Sequence, residues 1–493
     1  MVKKMPSLSK ADVRDVIELI KGLYLSDMIP WICGYSGGKD STAVVQLVWK
    51  ALSEIPSDQR EKAVYVISTD TLVESPVVAL WATQSIEKMK LRAEEDNLPI
   101  FPHRLTPTVN NSFWVNLIGR GYPYPRNDFR WCTDRLKIEP SNRFIKGILD
   151  AESEAILVLG TRKAESLSRK AVMEGYEKKR YRDHLSPNGS FPNSYVFTPI
   201  ENWSNDNVWQ FLLQYHNPWG QSNKNLMSMY SGASADGECP LVIDTSTPSC
   251  GNSRFGCWVC TMVSEDKSMA AMIRNDEEKS WMLPMLEFRN KYIGISKEAD
   301  RARRDFRKKD GSLRWHNNRL VHGPYTKETR ELLLRQLLIT EKKVHELCPE
   351  EIKSAPLISS EELQLIRQIW LDEKHEFDDS LPRIYEEVTG CAYSDHLISK
   401  NKYFGSAEDA LLKEVCLELF PDETLMPELQ RTLLDIEAKA AAMSKKRNVI
   451  INFDSEIAKA IYKNEEDAEQ VAEERAKRFN DYIELPTEDD LVE

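Results

Sequence analysis

The hexapeptide Ser36-Gly37-Gly38-Lys39-Asp40-Ser41 constrains this chain more than any other stretch of it. It lies between residues 29–35, an apolar segment that reads as a short buried strand, and an apolar-periodic segment from Ser41 to Leu52 that reads as a helix. Two consecutive glycines at a strand-to-helix turn let backbone N–H groups turn inward together as an anion nest. The helix N-terminus adds partial positive charge beside them. Lys39 brings a full cation, the hydroxyls of Ser36, Ser41 and Thr42 can donate to phosphate oxygens, and Asp40 can hold Mg2+. The spacing is not the Walker pattern G-x-x-x-x-G-K-S/T, because the lysine follows the first glycine too closely. The competing reading is an ordinary glycine turn at a strand end.

Strand and helix alternate on both sides of that turn. Residues 63–68 read as a second strand, and Pro76 suits the first position of a helix running toward residue 95. Residues 98–105 form a weaker strand, 137–149 a helix beyond Pro140, 155–160 a buried strand, and 195–200 a strand leading into a helix capped by Ser204. The pattern predicts an α/β fold, a doubly wound parallel sheet covered by helices on both faces. Residues 220–265, rich in Gly, Ser, Pro and Cys, break it with an irregular loop region. From residue 326 the chain reads as helical, with breaks expected at Pro349, Pro356, Pro382 and Pro421. The expected organisation is an N-terminal helix over 1–25, a nucleotide domain over 26–220, a Cys-rich and basic region over 221–325, a helical domain over 326–450 and an acidic helical tail over 451–493.

Composition narrows the class. With 493 residues, 41% hydrophobic and 29% charged, the chain has the material for several folded domains. Its longest apolar runs fall far short of the ~18 residues that span a bilayer, so no membrane association is expected. The N-terminus is basic but lacks an apolar stretch, and the nine cysteines are an odd number. A reducing cytoplasm is therefore the expected compartment. The net charge is −12, and residues 451–493 supply most of it. Against that, Lys178, Lys179, Arg180 and Arg182 form one basic run, and residues 301–309 form another; each reads as a phosphate contact or as a solvated helix face.

Cys239, Cys250, Cys257 and Cys260 succeed one another as C-x10-C-x6-C-x2-C. The two-residue gap lets two thiolates face one metal, and four soft ligands in loop-rich sequence fit a [4Fe-4S] cluster or, as the lesser possibility, zinc. Cys132 lies apart from them and reads as a replacement ligand, a persulfide carrier or a buried packing residue. Cys33, Cys348, Cys391 and Cys416 read as packing residues.

The hexapeptide resembles the pyrophosphate loop of the ATP pyrophosphatase (PP-loop) superfamily, whose fold is the adenine nucleotide alpha hydrolase type. Further stretches resemble the phosphoadenylyl-sulfate reductase branch. They are Trp131-Cys132-Thr133-Asp134-Arg135-Leu136-Lys137, Gly160-Thr161-Arg162-Lys163-Ala164-Glu165-Ser166 with Arg169, and Pro199-Ile200-Glu201-Asn202-Trp203. The reductases themselves use a cysteine near the C-terminus, and no cysteine or histidine comes after Cys416 in this chain. The set of motifs, in a chain of this length, is similar to the Dnd-system C family, the sulfurtransferases of bacterial DNA phosphorothioation. That resemblance implies ATP, Mg2+ and an iron–sulfur cluster as cofactors. It implies DNA, a cysteine desulfurase as sulfur donor and sibling Dnd proteins as partners. It assigns phosphate binding to residues 36–41, Asp70 and Arg162, and catalysis to Lys39, Asp40, Cys132, Arg162 and Arg169. A tRNA-thiolating enzyme and a sulfonucleotide reductase are the alternatives, with a nucleotide-binding scaffold as the plainest.

Overall fold

The computed structural model describes residues 7–127, 129–180, 182–233, 255–353, 355–394, 405–441 and 449–483. Strands that are apolar on both faces need cover on both faces, and this requirement shapes the first two hundred residues. Strands β1 (Trp31–Gly34), β2 (Val64–Thr69), β3 (Ile100–Leu105), β4 (Ala155–Val158), β5 (Ser186–Pro187) and β6 (Ser194–Phe197) form one sheet in the order β3-β2-β1-β4-β6-β5. All neighbours are parallel except β5, which runs antiparallel to β6 at one edge. In register, Trp31 stands beside Val64 on one side and Ile156 on the other. Alternate residues point to opposite faces. Trp31, Cys33, Val64, Val66, Ile156 and Val158 join the large core with apolar residues of helices α1 (Lys10–Leu25), α2 (Lys39–Glu54) and α3 (Pro76–Glu95). Ile32, Ile67 and Ala155 join a second cluster with Ile145 of the helix Glu139–Glu152. Both faces are therefore covered, and the expectation of a doubly wound parallel sheet holds.

The helix starts obey local chemistry. Ser9 caps α1 in a reciprocal box: its hydroxyl accepts from the Asp12 N–H at 3.1 Å, and the Asp12 carboxylate accepts from the Ser9 N–H at 2.7 Å. Pro76 opens α3, where its missing N–H costs nothing. The strand order reverses direction between β1 and β4, and open α/β sheets bind ligands at such a point, beyond the strands' carboxyl ends.

The chain divides into two compact units. One comprises residues 1–108, 125–289 and 347–354 and contains the sheet; the other comprises 109–124, 290–346 and 355–493 and is mostly helical. Residues 109–124 enter the helical unit through indole hydrogen bonds: Trp114 donates to the Leu357 carbonyl at 2.7 Å, and Trp370 donates to the Ile118 carbonyl at 3.1 Å.

Two local expectations need correction. Pro382 does not break a helix; it sits in the first turn of the helix Ser380–Thr389, where proline is tolerated. Cys391 is exposed, because Gly390 caps that helix in a left-handed conformation (φ +74°) and turns the chain outward. The other three cysteines read as packing residues, Cys33, Cys348 and Cys416, are buried.

Candidate nucleotide site and thiol pocket

The Ser36–Ser41 turn lies just beyond β1, at the switch point. Gly37 adopts φ +73°, a left-handed conformation that side chains disfavour, and Gly38 caps α2. The turn is braced from several sides. Ser41 Oγ donates to the Gly38 carbonyl at 3.0 Å and accepts from the Ser36 N–H at 3.2 Å. The Trp81 indole of α3 donates to the Gly37 carbonyl at 3.2 Å. The Lys39 ammonium lies 5.6 Å from the Tyr230 ring centroid, within cation–π range.

Asp40 organises the charges. Its Oδ1 accepts from Arg162 Nε at 2.6 Å, and its Oδ2 meets the Lys39 ammonium at 3.0 Å. Arg162, 3% exposed, also donates to the Trp203 carbonyl at 3.2 Å. Glu165 accepts from the Arg162 N–H at 2.9 Å and pairs with the Arg169 guanidinium. The loop after β4 thus reaches directly onto the loop after β1. Gly160 makes this approach possible. A Cβ there would stand 2.9 Å from the backbone carbon and oxygen of Asp40, too close for any side chain. The sequence showed Gly160 inside its motif but gave it no role.

Asp70 stands directly after β2 and is already engaged. Its Oδ1 accepts from the Leu72 N–H at 2.8 Å, and Arg104 of β3 pairs with it at 3.1 Å. Arg104 also lies 3.7 Å from Glu74. Burial pushes Glu74 up to about 7, with Asp70 adding to the rise and Arg104 and Lys137 opposing it. Arg104 is invisible in the sequence, because a single arginine in a weak strand carries no pattern.

The thiols gather beside this carboxylate group. Glu74 bridges Cys257 in an antiparallel pair, the Trp258 N–H donates to the Val73 carbonyl at 3.0 Å, and the Thr71 hydroxyl is 3.3 Å from Cys257 Sγ. Burial pushes the Cys257 thiol up to about 11, against the pull of Lys137 and Thr71. Cys132, half-buried, is raised by burial and feels Cys260; Cys257 feels Cys260 as well. Arg289, 1% exposed, staples the loop that carries Cys260, donating to the carbonyls of Cys260 at 2.8 Å and Ser264 at 2.6 Å and to that of Val263. Nothing in its sequence neighbourhood marks Arg289. Cys239 and Cys250 lie outside the described residues. Among the described residues no three or more His, Cys, Asp and Glu side chains stand in an arrangement that could hold a metal ion.

A ring contact joins the phosphate loop to the thiol loop. The Tyr230 hydroxyl accepts weakly from the Lys39 N–H at 3.4 Å, and its ring packs edge-on against Phe255 with centroids 4.6 Å apart. Phe255 precedes Gly256-Cys257 in the chain, so the two loops share one aromatic brace.

Both basic runs are partly engaged within the chain. Arg180 pairs with Glu201 at 3.0 Å, and Arg182 pairs with Asp27. Arg301 meets Glu465 and Glu469 of the acidic helix Glu465–Ile483 at 3.1 and 3.2 Å, and Arg307 meets Asp305 and Glu428 at 2.7 and 2.8 Å. Part of the acidic tail's charge is thus spent on the second run.

No helix among the described residues is long and apolar enough to cross a membrane. Two proteins of Methanocaldococcus jannaschii, the uncharacterized MJ0066 and MJ0973, are 27% and 26% identical over 208 and 178 residues, or 42% and 36% of this chain. The chain spans about a third of the length of these curated relatives, 36% and 34%. Solved structures that it resembles include phosphoadenylyl-sulfate reductase from Candida auris, 14% identical with a TM-score of 0.27 over 45% of this chain and 93% of that one. Another is the U34-tRNA thiolase NcsA of Methanococcus maripaludis with its [4Fe-4S] cluster, 14% identical with a TM-score of 0.27 over 46% and 78%. Residues 30–262, a little under half of the chain, match the phosphoadenosine phosphosulfate reductase domain.

Proposed function

We propose that this protein is an ATP-dependent sulfurtransferase that replaces a non-bridging oxygen of a DNA phosphodiester with sulfur. One observation carries the reading: a left-handed Gly37 turn, backed by the Lys39–Asp40–Arg162 chain of charges, shares its aromatic brace with the loop of Cys257 and Cys260. A nucleotide and a sulfur donor would meet at the same edge of one sheet.

The chemistry runs in two displacements. A DNA phosphate oxygen attacks the α-phosphorus of ATP; the new O–P bond forms as the bond to pyrophosphate breaks, and pyrophosphate leaves. Sulfide then attacks the DNA phosphorus; the P–S bond forms and AMP leaves with the original oxygen. The backbone amides at Gly37 and Gly38 would hold the β- and γ-phosphates, neutralising the leaving group. Lys39 would exchange its partner Asp40 for a phosphate oxygen, which frees Oδ2 of Asp40 for Mg2+. Arg162, fixed by Asp40 and the Trp203 carbonyl, would contribute its remaining donors to the α-phosphate, and Arg169 would reach the incoming strand.

The donor set suits a soft metal centre. Cys257 and Cys260, completed by Cys239 and Cys250, would hold a [4Fe-4S] cluster, and Lys137 favours thiolate charge at Cys257. Bound there, the cluster would supply a site for carrying sulfide. The helix Leu167–Glu177 buries none of its residues, and with exposed Arg169, Lys170, Lys178 and Lys179 it is the candidate DNA contact. A cysteine desulfurase and sibling Dnd proteins complete the proposed system.

Mass spectrometry of nuclease-digested DNA from cells carrying the complete system tests this. Phosphorothioate-linked dinucleotides are expected with the parent protein and absent with Lys39→Ala or Cys257→Ser. Sulfur found in tRNA nucleosides and not in DNA would assign the tRNA-thiolating alternative.

A further inference from the structure

Within the helical unit, a cavity of about 430 Å3 opens beside the start of the helix Lys327–Leu347 and between the helices Ser406–Leu419 and Met426–Ala441. Six cations line it: Arg304, Lys327, Arg330, Lys374, Lys413 and Arg431. The acids around it are already committed. Glu376 takes Arg330 in a buried fork, and Asp305 and Glu428 take Arg307. Asp409 serves three cations at once, Lys413 at 3.2 Å, Lys327 at 3.6 Å and Arg431 at 3.7 Å. Glu328, the remaining lining acid, is exposed.

Lys374 is left over. Its ammonium has neither a hydrogen bond nor an ion pair among the described residues. Burial pushes it down to about 8, Arg330 adds to the fall, and Glu376 and Glu428 do not restore it. Arg330 and Arg431, 3% and 6% exposed, each keep a buried Nε without an acceptor. A partly buried ammonium lacking a counter-ion gains when an anion enters. A carboxylate offers two oxygens and one charge. A phosphate dianion offers more acceptors and two charges, which suits cations converging from three separate elements. Phe306, Leu417 and Leu425 give the cavity an apolar wall, and its volume exceeds that of phosphate alone.

We infer that this cavity binds a phosphate dianion, free or as the terminal group of a small monoester, through Lys374, Lys413 and Arg431. The site does not depend on the ATP reading, since none of its residues belongs to the unit that carries Gly37 and Gly38.

Hydrogen exchange on the full chain, titrated separately with inorganic phosphate and with AMP, tests it locally. Slower exchange over residues 324–331 and 424–431 is expected, at least about tenfold weaker in apparent affinity for Lys374→Gln. Lys413→Gln, at a half-exposed side chain that leaves packing intact, should weaken it too, and Lys39→Ala should not. Protection by AMP at lower concentration than phosphate assigns a monoester; the reverse order assigns free phosphate. Protection confined to residues 36–42, no protection with either probe, or undiminished protection in both lysine variants would overturn the inference.

Discussion

Gly160→Ala isolates geometry from charge at the nucleotide site. The substitution adds one methyl and removes no donor, acceptor or ion. That methyl would sit 2.9 Å from the Asp40 carbonyl carbon and oxygen and 3.1 Å from the Ser41 nitrogen, where ordinary contact begins near 3.4 Å. Backbone atoms cannot swing aside, so the first turn of α2 must retreat by about 0.5 Å, carrying Lys39, Asp40 and Ser41 with it. Overpacking of this kind costs about 1–3 kcal/mol. A full ångström of misplacement can cost about 100-fold in rate, so half of that predicts roughly a tenfold loss. The assay is pyrophosphate release from ATP, paired with urea unfolding. Gly175→Ala is the control: a Cβ there meets nothing within 4 Å, and removing a helical glycine should stabilise by about 0.5–1 kcal/mol. Unchanged turnover and unchanged stability in Gly160→Ala would refute the claim that the β4 loop positions the phosphate loop.

The packing and the buried charges yield three further tests. Arg289→Met removes the donor that ties the carbonyls of Cys260 and Ser264 to one side chain, so residues 256–264 should exchange hydrogen much faster than in the parent; an unchanged rate would remove the stapling role. Arg330→Met alone should destabilise by about 3–5 kcal/mol, and the double variant with Glu376→Leu should recover much of that, measured by urea unfolding; a double variant as unstable as the single would contradict the buried-pair account. Lys374 gives a pH test in phosphate-free buffer. Its folded value of about 8 lies below the ordinary 10.5, so between those values the unfolded chain binds more protons and stability rises with pH; below about 8 the full cost of burying the charge remains. Lys374, set against Arg330 and Lys309 and facing Glu376 and Glu428, should therefore make Lys374→Met more stable than the parent at pH 7, with the gain fading as pH climbs through that window. A gain independent of pH would show that the effect is packing alone.

The parts of this molecule legible in its sequence are those written in local pattern. Apolar runs at 29–35, 63–68 and 155–160 become β1, β2 and β4, because strands buried on both faces must be apolar throughout. The Ser36–Ser41 turn and the Gly160–Ser166 loop were legible as motifs, and their meeting through Asp40 and Arg162 is the consequence of parallel strands ending at one edge. The brief edge strand Ser186–Pro187 was not legible, since two residues carry no periodicity. Tyr230, Arg104 and Arg289 were missed for a different reason. Each acts through a partner far away in sequence, and only the folded chain brings Tyr230 to Lys39 or Arg289 to the Cys260 loop. The basic runs divide on folding: acids claim Arg180, Arg182, Arg301 and Arg307, while Lys178 and Lys179 stay exposed.

Product analysis of purified protein incubated with ATP, DNA and sulfide reaches the central claim most directly. If the amides at Gly37 and Gly38 grip the β- and γ-phosphates, the products are AMP and pyrophosphate in equal amounts, and Lys39→Ala and Asp40→Ala each lose them while keeping the parent's circular dichroism. Formation of ADP and inorganic phosphate, or undiminished pyrophosphate release in both variants, would contradict it.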